Sequence, residues 1–210
     1  LLGVEPDVVA CDLHPGFVTT SEAERRAAEG LRGPVRVQHH HAHAASLLGE
    51  RQLDRAIVIV ADGTGYGPDG SIWGGEVLDA TRADYERVGG LGRFALPGGE
   101  AAVRRPARIL ASLLEDPDRI DSLLSSRGAV EDDTAAAVVR EQVESGINTP
   151  ETTSAGRFLD AISALLDAET QRAYEGEPAM VLEALAAEGT PIDLDPPLAR
   201  ADGRTALDVT

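Results

Sequence analysis

Residues 55–79, RAIVIVADGTGYGPDGSIWGGEVLD, carry the reading that decides the fold. Arg55–Ala61 is rich in β-branched residues, which suit a pleated backbone, and it predicts a strand placed centrally in a sheet. A glycine-rich turn at Asp62 to Gly70 is expected next. Ser71–Asp79 then returns as a strand, so the pair forms a hairpin-like unit. Gly67-Pro68-Asp69-Gly70 is ordinary turn chemistry, but the Asp62 end is not accounted for by turning alone. There, glycines at 63, 65 and 67 let backbone N–H groups approach a phosphate with no Cβ in the way, with Tyr66 in the same loop. Thr64 adds a hydroxyl donor, and Asp62 offers a carboxylate to a cation accompanying phosphates. The loop is neither a Walker loop, since the chain holds no lysine, nor a G-x-G-x-x-G sequence opening a helix.

Some twenty residues upstream lie His39, His40, His41 and His43, four of the five histidines. His39 and His43 are four apart, so at a helix start both imidazoles can project from one face toward one ion. Neutral imidazole suits iron, zinc, nickel or manganese without choosing among them. Two histidines leave coordination positions open, and carboxylates from elsewhere must join. The alternative is that the cluster caps a helix and packs on a neighbouring turn. A zincin site is disfavoured, because no glutamate stands between the histidines.

The rest of the amino-terminal part alternates strands and helices, which argues for a mixed α/β sheet. Asp7–Cys11 predicts a buried strand ending near Asp12 and His14, with Cys11 an inert buried thiol. Thr20 or Ser21 is expected to cap a helix through Gly30, with Glu24 completing a capping box. Val35–Gln38 predicts a strand, and residues 40–51 a helix. Beyond Pro97-Gly98-Gly99 the pattern turns helical, over Ala101–Leu114, Glu131–Ser145, Ser154–Ala168 and Pro178–Ala187. Arg104 and Arg105 are expected to open one of these helices. Gly156 and Gly176 interrupt helical segments, as close approach to a ligand would require. Trp73, Tyr66 and Phe94 are candidates to line a cleft, with core packing as the alternative. Pro191–Pro197 is the expected loop. The reading is thus an α/β part over 1–100 and a mainly helical part over 101–210.

The 210 residues include 36 acidic and 19 basic side chains, for a net charge of −17. Such a surface repels nucleic acid and anionic membrane, so neither is an expected partner. Scattered acids suit a halophile, whose salt screens self-repulsion. One cysteine excludes an internal disulfide framework and points to a cytoplasmic setting. No stretch approaches the roughly 20 apolar residues of a membrane helix. Both ends read as the interior of a longer chain.

The segments VQHHHAHAASLL (37–48), ADGTGYGPDGSIWGGEVL (61–78), FALPGGEAAVRRPARI (94–109), TTSAGRFLDAISALL (152–166) and YEGEPAMVLEALA (174–186) together closely resemble the C-terminal, TsaD-like domain of the HypF carbamoyltransferases of NiFe-hydrogenase maturation. The resemblance covers essentially the whole chain. It implies an actin-like ATPase (ASKHA, ribonuclease H-like) fold, here incomplete. It implies transfer of a carbamoyl group from carbamoyl adenylate, made from carbamoyl phosphate and ATP in a YrdC-like domain, to the C-terminal cysteine of HypE. His39, His43 and Asp62 match metal ligands, iron or zinc being the expected ion. Gly63 to Gly67 match a phosphate-binding turn, and Ser154 to Gly156 with Tyr174 to Gly176 fall where the related fold holds a nucleotide. His40, His41 and His14 are left as support, and no catalytic residue is assigned within the chain, because the partner supplies the thiolate.

Several departures accompany the resemblance. The YrdC-like, acylphosphatase and zinc-finger domains lie outside these residues, and Glu100 and Arg105 stand where the family more often has aspartate and glutamate. A further metal carboxylate is expected beyond Thr210, so the chain alone is expected to turn over little. The competing readings are a tRNA threonylcarbamoyl transferase of the TsaD class and a non-catalytic nucleotide- or metal-binding module.

Overall fold

The computed structural model describes all residues except Leu1, Leu2, Val4, Leu194, Asp202 and Thr210. Strand β1 (Val8–Asp12) pairs in parallel with β2 (Arg32–Val37), and α1 (Val18–Ala28) connects them. The expected capping box is not formed. The helix begins earlier, at Val18, with Phe17 at its N-cap and no side-chain cap bond. Thr20 instead donates its hydroxyl to the carbonyl of His14 (2.9 Å), tying the helix to the end of β1. Cys11 is only partly buried, not enclosed as expected.

Helix α2 (His39–Arg51) follows β2 after a single residue. Gln38 caps it, its side-chain oxygen accepting the N–H of His41 at 2.8 Å. Ala44 and Leu48 of this helix pack on Val58, Val60, Trp73, Leu78 and Ala80 of the main sheet.

That sheet is mixed and seven-stranded. Its long hairpin is β3 (Arg55–Tyr66) against β4 (Ile72–Thr81). The expected turn at Asp62 to Gly70 is therefore shorter than predicted. The chain stays extended through Tyr66, and the register shifts between Ala61 and Gly65, as a bulge does. The tight turn itself is confined to Gly67–Ser71, where Gly67 N–H bonds Ser71 O at 2.9 Å. Nor is β3 central: among the described strands it pairs only with β4, leaving Ile57 and Ile59 exposed on the face away from α2. On its other side β4 pairs with β5 (Tyr85–Leu91) and, at Ile72, with the short β7 (Glu151–Thr152). The latter also pairs with β6 (Phe94–Ala95). Strands β8 (Leu198–Ala201) and β9 (Arg204–Leu207) return the tail to the sheet beside β5.

The expected helix Ala101–Leu114 is broken into α3 (Glu100–Arg104), a 3-10 turn (Pro106–Ile109) and α4 (Leu110–Leu113). Pro106 has no N–H to continue a ladder, and Arg105 sits at φ −126°, ψ 80°, outside the helical basin. Arg104 accordingly closes a helix rather than opening one. Helices α5 (Pro117–Ser126), α6 (Asp133–Ser145), α7 (Ala155–Leu165) and α8 (Glu177–Ala186) complete this part. They enclose a second core with Phe94, Leu96, Ile109, Leu110, Leu124 and Val139. Among the described residues, no helix is long and apolar enough to cross a membrane.

Candidate metal centre and cleft

The end of β2, the start of α2 and the bulge of β3 meet at one point. Because α2 begins at His39, His39 and His43 stand one turn apart and their Nε2 atoms approach to 3.3 Å. Asp62 sits in the bulge, and its Oδ1 accepts the N–H of Gly63 at 2.6 Å. That bond leaves Oδ2 facing the histidines, 3.1 Å from His39 Nε2 and 3.8 Å from His43 Nε2. One ligand atom from each of these residues lies within 4.8 Å of the others. Imidazole nitrogens about 2.0–2.1 Å from a tetrahedral ion are themselves about 3.3 Å apart, so the spacing fits a shared first-row cation. Asp62 Oδ2 has no hydrogen-bond partner, as fits an atom reserved for an ion.

Asp12, at the end of β1, holds His39 from behind, with Oδ2 at 3.1 Å from Nδ1. A ring nitrogen engaged by a carboxylate fixes the tautomer and leaves the other nitrogen free for a ligand. The sequence marked Asp12 only as the end of the first strand; this contact gives it a positioning role.

His40 is wholly buried, and burial lowers its pKa, with nearby Asp62 opposing. Its environment assigns the tautomer. Gln38 spends its oxygen on His41 N–H, so its amide NH2 faces Tyr66 O and His40 Nδ1, each at 3.3 Å. His40 Nδ1 is then an acceptor, and Nε2–H points toward Asp62 Oδ2 at 3.3 Å without full hydrogen-bond geometry. This histidine supports the carboxylate. His41 does not: it turns away and bonds Thr81 O through Nε2 at 2.9 Å. His14 accepts Gly16 N–H and stacks on Phe17, with Tyr66 against its edge.

Asp62 also lines a cleft of about 410 Å³ with Gly63, Gly156, Arg157, Glu175 and Gly176, among others. Three glycines singled out from sequence thus meet on one cavity. Ser154 caps α7 by accepting Arg157 N–H at 3.0 Å, and its hydroxyl proton serves the carbonyls of Asp62 and Gly63 at 3.0 and 2.8 Å. Its hydroxyl thereby ties the start of α7 to the loop that carries Asp62. Gly156 stands in the first turn of α7, where a Cβ would come within 2.9 Å of Gly63 Cα; close backbone packing is the reason for glycine there. Gly176 interrupts no helix. It is the N-cap of α8 at φ 79°, a conformation glycine adopts without strain.

Gly65 and Gly67 are each held against a neighbouring side chain. A Cβ at Gly65 would lie 2.7 Å from His40 Nε2, and one at Gly67 would strike the Trp73 ring. Trp73 and Phe94 are core residues rather than cleft linings. Thr64 faces a neighbouring pocket, described below.

Sequence reasoning missed the floor of the cleft. Arg157 and Asp160 are both almost fully buried, with Nη1 and Oδ2 2.7 Å apart, although the contact lacks hydrogen-bond geometry. Burial raises the pKa of Asp160 and lowers that of Arg157, each partly offset by the other. Their i,i+3 spacing on a helix was the available signal, but the same spacing is usual for solvent-exposed pairs.

The arrangement defines a mixed α/β domain with a His/Asp cluster able to hold a cation beside a glycine-lined cleft. Residues 58–209 match the model for the carbamoyltransferase Kae1-like domain, second subdomain, and residues 1–50 match the HypF Kae1-like domain. The chain belongs to the HypF carbamoyltransferase family. It is 41% identical over 181 residues to a carbamoyltransferase HypF homolog of Cupriavidus necator, covering 86% of this chain and 46% of that protein. With the probable carbamoyltransferase HypF of Methanocaldococcus jannaschii it shares 42% over 182 residues, 86% of this chain and 24% of that protein. The crystal structure of full-length HypF in its phosphate- and nucleotide-bound form superposes with a TM-score of 0.83 at 36% identity, covering 98% of this chain and 31% of that one. For T. kodakarensis HypF the TM-score is 0.84 at 37% identity, with 97% and 27% covered. The chain therefore spans between a quarter and about half of the length of these relatives.

Proposed function

We propose that these residues form the carbamoyl-transferring part of a HypF protein, built on an actin-like ATPase fold and acting in the cytoplasm. The substrate is carbamoyl adenylate, made from carbamoyl phosphate and ATP by a YrdC-like domain, with an acylphosphatase domain in the same protein. The acceptor is the C-terminal cysteine of HypE. The observation that carries this reading is that Asp62 belongs both to the ligand cluster with His39 and His43 and to the Gly63, Gly156 and Gly176 cleft. A ligand in the cleft and a cation on the histidines would share that carboxylate.

His39, His43 and Asp62 would hold iron or zinc, which as a Lewis acid polarises a carbonyl and stabilises a departing phosphate oxygen. The rest follows from the chain's own groups. Asp12 and His40 orient the ligands, while the close packing of Gly156 on Gly63 holds the Asp62 loop against α7 at the edge of the cleft that takes the adenylate. The related HypF structure is a phosphate- and nucleotide-bound form, and we assign a nucleotide of this chain to the cleft lined by Gly63, Gly156 and Gly176. The acceptor thiolate forms a C–S bond to the carbamoyl carbon, the C–O bond to the adenylate phosphate breaks, and AMP leaves.

The test is carbamoyl transfer to a peptide bearing the HypE C-terminus, assayed in a protein that also carries the YrdC-like domain. Asp62→Asn is expected to abolish transfer of carbamoyl from preformed adenylate. Undiminished transfer by that variant, or threonylcarbamoyl transfer to tRNA in its place, overturns the reading.

A further inference from the structure

Beside the cleft lies a second pocket of about 400 Å³, lined by Glu100, Arg104, Arg157, Arg172, Tyr174 and Glu175, among others. Three arginines on one pocket stand out in a chain of net charge −17. Their placement is built into the backbone, because Arg172 N–H bonds Arg104 O at 3.0 Å and so fixes both residues on one wall. Arg104 has no side-chain hydrogen bond or ion pair among the described residues. Arg172 directs Nε to Tyr174 O at 3.1 Å, and its nearest carboxylate, Glu175 at 3.7 Å, is 88% exposed and thus well screened. Glu100 is exposed as well. Arg157 is 3% exposed; its Nη1 is ion-paired with Asp160 Oδ2 at 2.7 Å without hydrogen-bond geometry, and its Nε makes no hydrogen bond. Burial lowers its pKa; Asp160 opposes that, Arg172 lowers it further, and Glu175 and Asp62 act with Asp160. Arg157 and Arg172 repel each other, and the exposed Arg104 on the same pocket keeps its donors unspent, so an anion among the three would be held by charge-assisted hydrogen bonds.

The geometry points to an oxyanion subsite at Arg104, Arg157 and Arg172, taking a phosphate or carboxylate of a substrate and separated from the glycine-lined cleft by Arg157. Arginine suits either group, since its planar fork matches both. Two sources follow from the proposed function, on which this assignment of a substrate rests. One is the phosphate of the nucleotide; the other is the terminal carboxylate of an acceptor whose reactive cysteine is its last residue.

Titration of the chain with inorganic phosphate, followed by calorimetry at low ionic strength, is the first measurement. The Arg104→Ala, Arg172→Ala double variant is expected to bind phosphate at least tenfold more weakly, and the Lys, Lys double variant to stay within a few fold of the parent. Metal binding through His39 and His43 is measured on each variant to show that the fold persists. Competition then identifies the source. AMP displacing phosphate where adenosine does not assigns the nucleotide, and a cysteine-terminated peptide displacing it where its C-terminal amide does not assigns the acceptor. Equal phosphate binding by the Ala variant overturns the subsite, and competition by neither ligand overturns its role toward substrate. Metal binding that is indifferent to His39 and His43 would instead count against the ligand set, whatever phosphate does.

Discussion

The two walls of the cleft are built on different physics. On the α2 side the two ligand histidines keep contact with solvent, the His43 side chain being 61% exposed and that of His39 35%, and few hydrogen bonds hold them. On the α7 side Ser154, Arg157 and Asp160 are almost completely buried, and a glycine packs backbone on backbone. The first wall can lose side chains with little harm to folding, because water replaces what they touched. The second cannot, because every group there is desolvated. The contrast separates residues that bind from residues that keep the binding ones in register.

The largest effect is expected at Asp160. Its replacement by Ala leaves Arg157 with an uncompensated buried charge, and chemical denaturation should show a loss of about 3–5 kcal/mol. Replacing both partners with apolar residues of similar size, Arg157→Met with Asp160→Leu, should restore most of that stability. A single variant within about 1 kcal/mol of the parent would erase the distinction between the walls.

The opposite signature is expected on the ligand wall. Changing His39 and His43 together to Ala should weaken binding of a first-row divalent ion about 100-fold or more, roughly 2.7 kcal/mol. Stability in the absence of metal should change by less than about 1 kcal/mol, because both side chains keep contact with solvent that replaces what they touch. A large loss of stability without loss of metal affinity would reverse the roles of the two walls.

The same division explains what the sequence made legible. The ligand wall is marked by residue type: a histidine cluster is rare, and its spacing on a helix follows from the helical period. The strand at Arg55 was legible from β-branched residues, but its edge position was not, since side-chain pattern does not count neighbours. The bulge that carries Asp62 looked like a turn because glycine signals both. The break at Arg105 was hidden because apolar spacing continues across it, although Pro106 marked the place. The tail strands β8 and β9 follow a proline-rich segment and are too short for alternation to show. Arg157 and Asp160 could not be told from a surface pair, because burial is a property of the assembled core.

A smaller effect tests how tightly the walls are joined. In Gly156→Ala the new Cβ meets Gly63 Cα and lies 3.3 Å from Asp62 O, both backbone atoms with little room to retreat. A loss of about 1–3 kcal/mol is expected, as for overpacked cores. Because Asp62 would be displaced, metal affinity should fall as well. Stability lost with metal affinity intact would mean that the walls move independently.

The smallest effect belongs to the other end of the glycine segment, where Asp69 provides a structural counterpart to Asp62. Asp69 accepts bonds from Ser71 N (3.1 Å), Ser71 Oγ (2.7 Å) and Trp73 Nε1 (3.0 Å), and from Arg93 at 2.9 Å. Burial pushes its pKa up, but hydrogen bonds from Ser71, Arg93 and Trp73 outweigh that and hold it down to about 2. A carboxylate more acidic in the folded chain than in the unfolded one stabilises above the unfolded value of 3.8. That contribution is lost as pH falls through the folded value. Asp69→Asn should therefore be less stable than the parent at pH 6, by about 1 kcal/mol after allowing for solvent screening of a one-third exposed group. The difference should shrink between pH 4 and pH 2, read from urea midpoints of the two proteins. A gap that stays constant over that range would show that Asp69 acts by shape alone, and the contrast between the two carboxylates of one loop would fail.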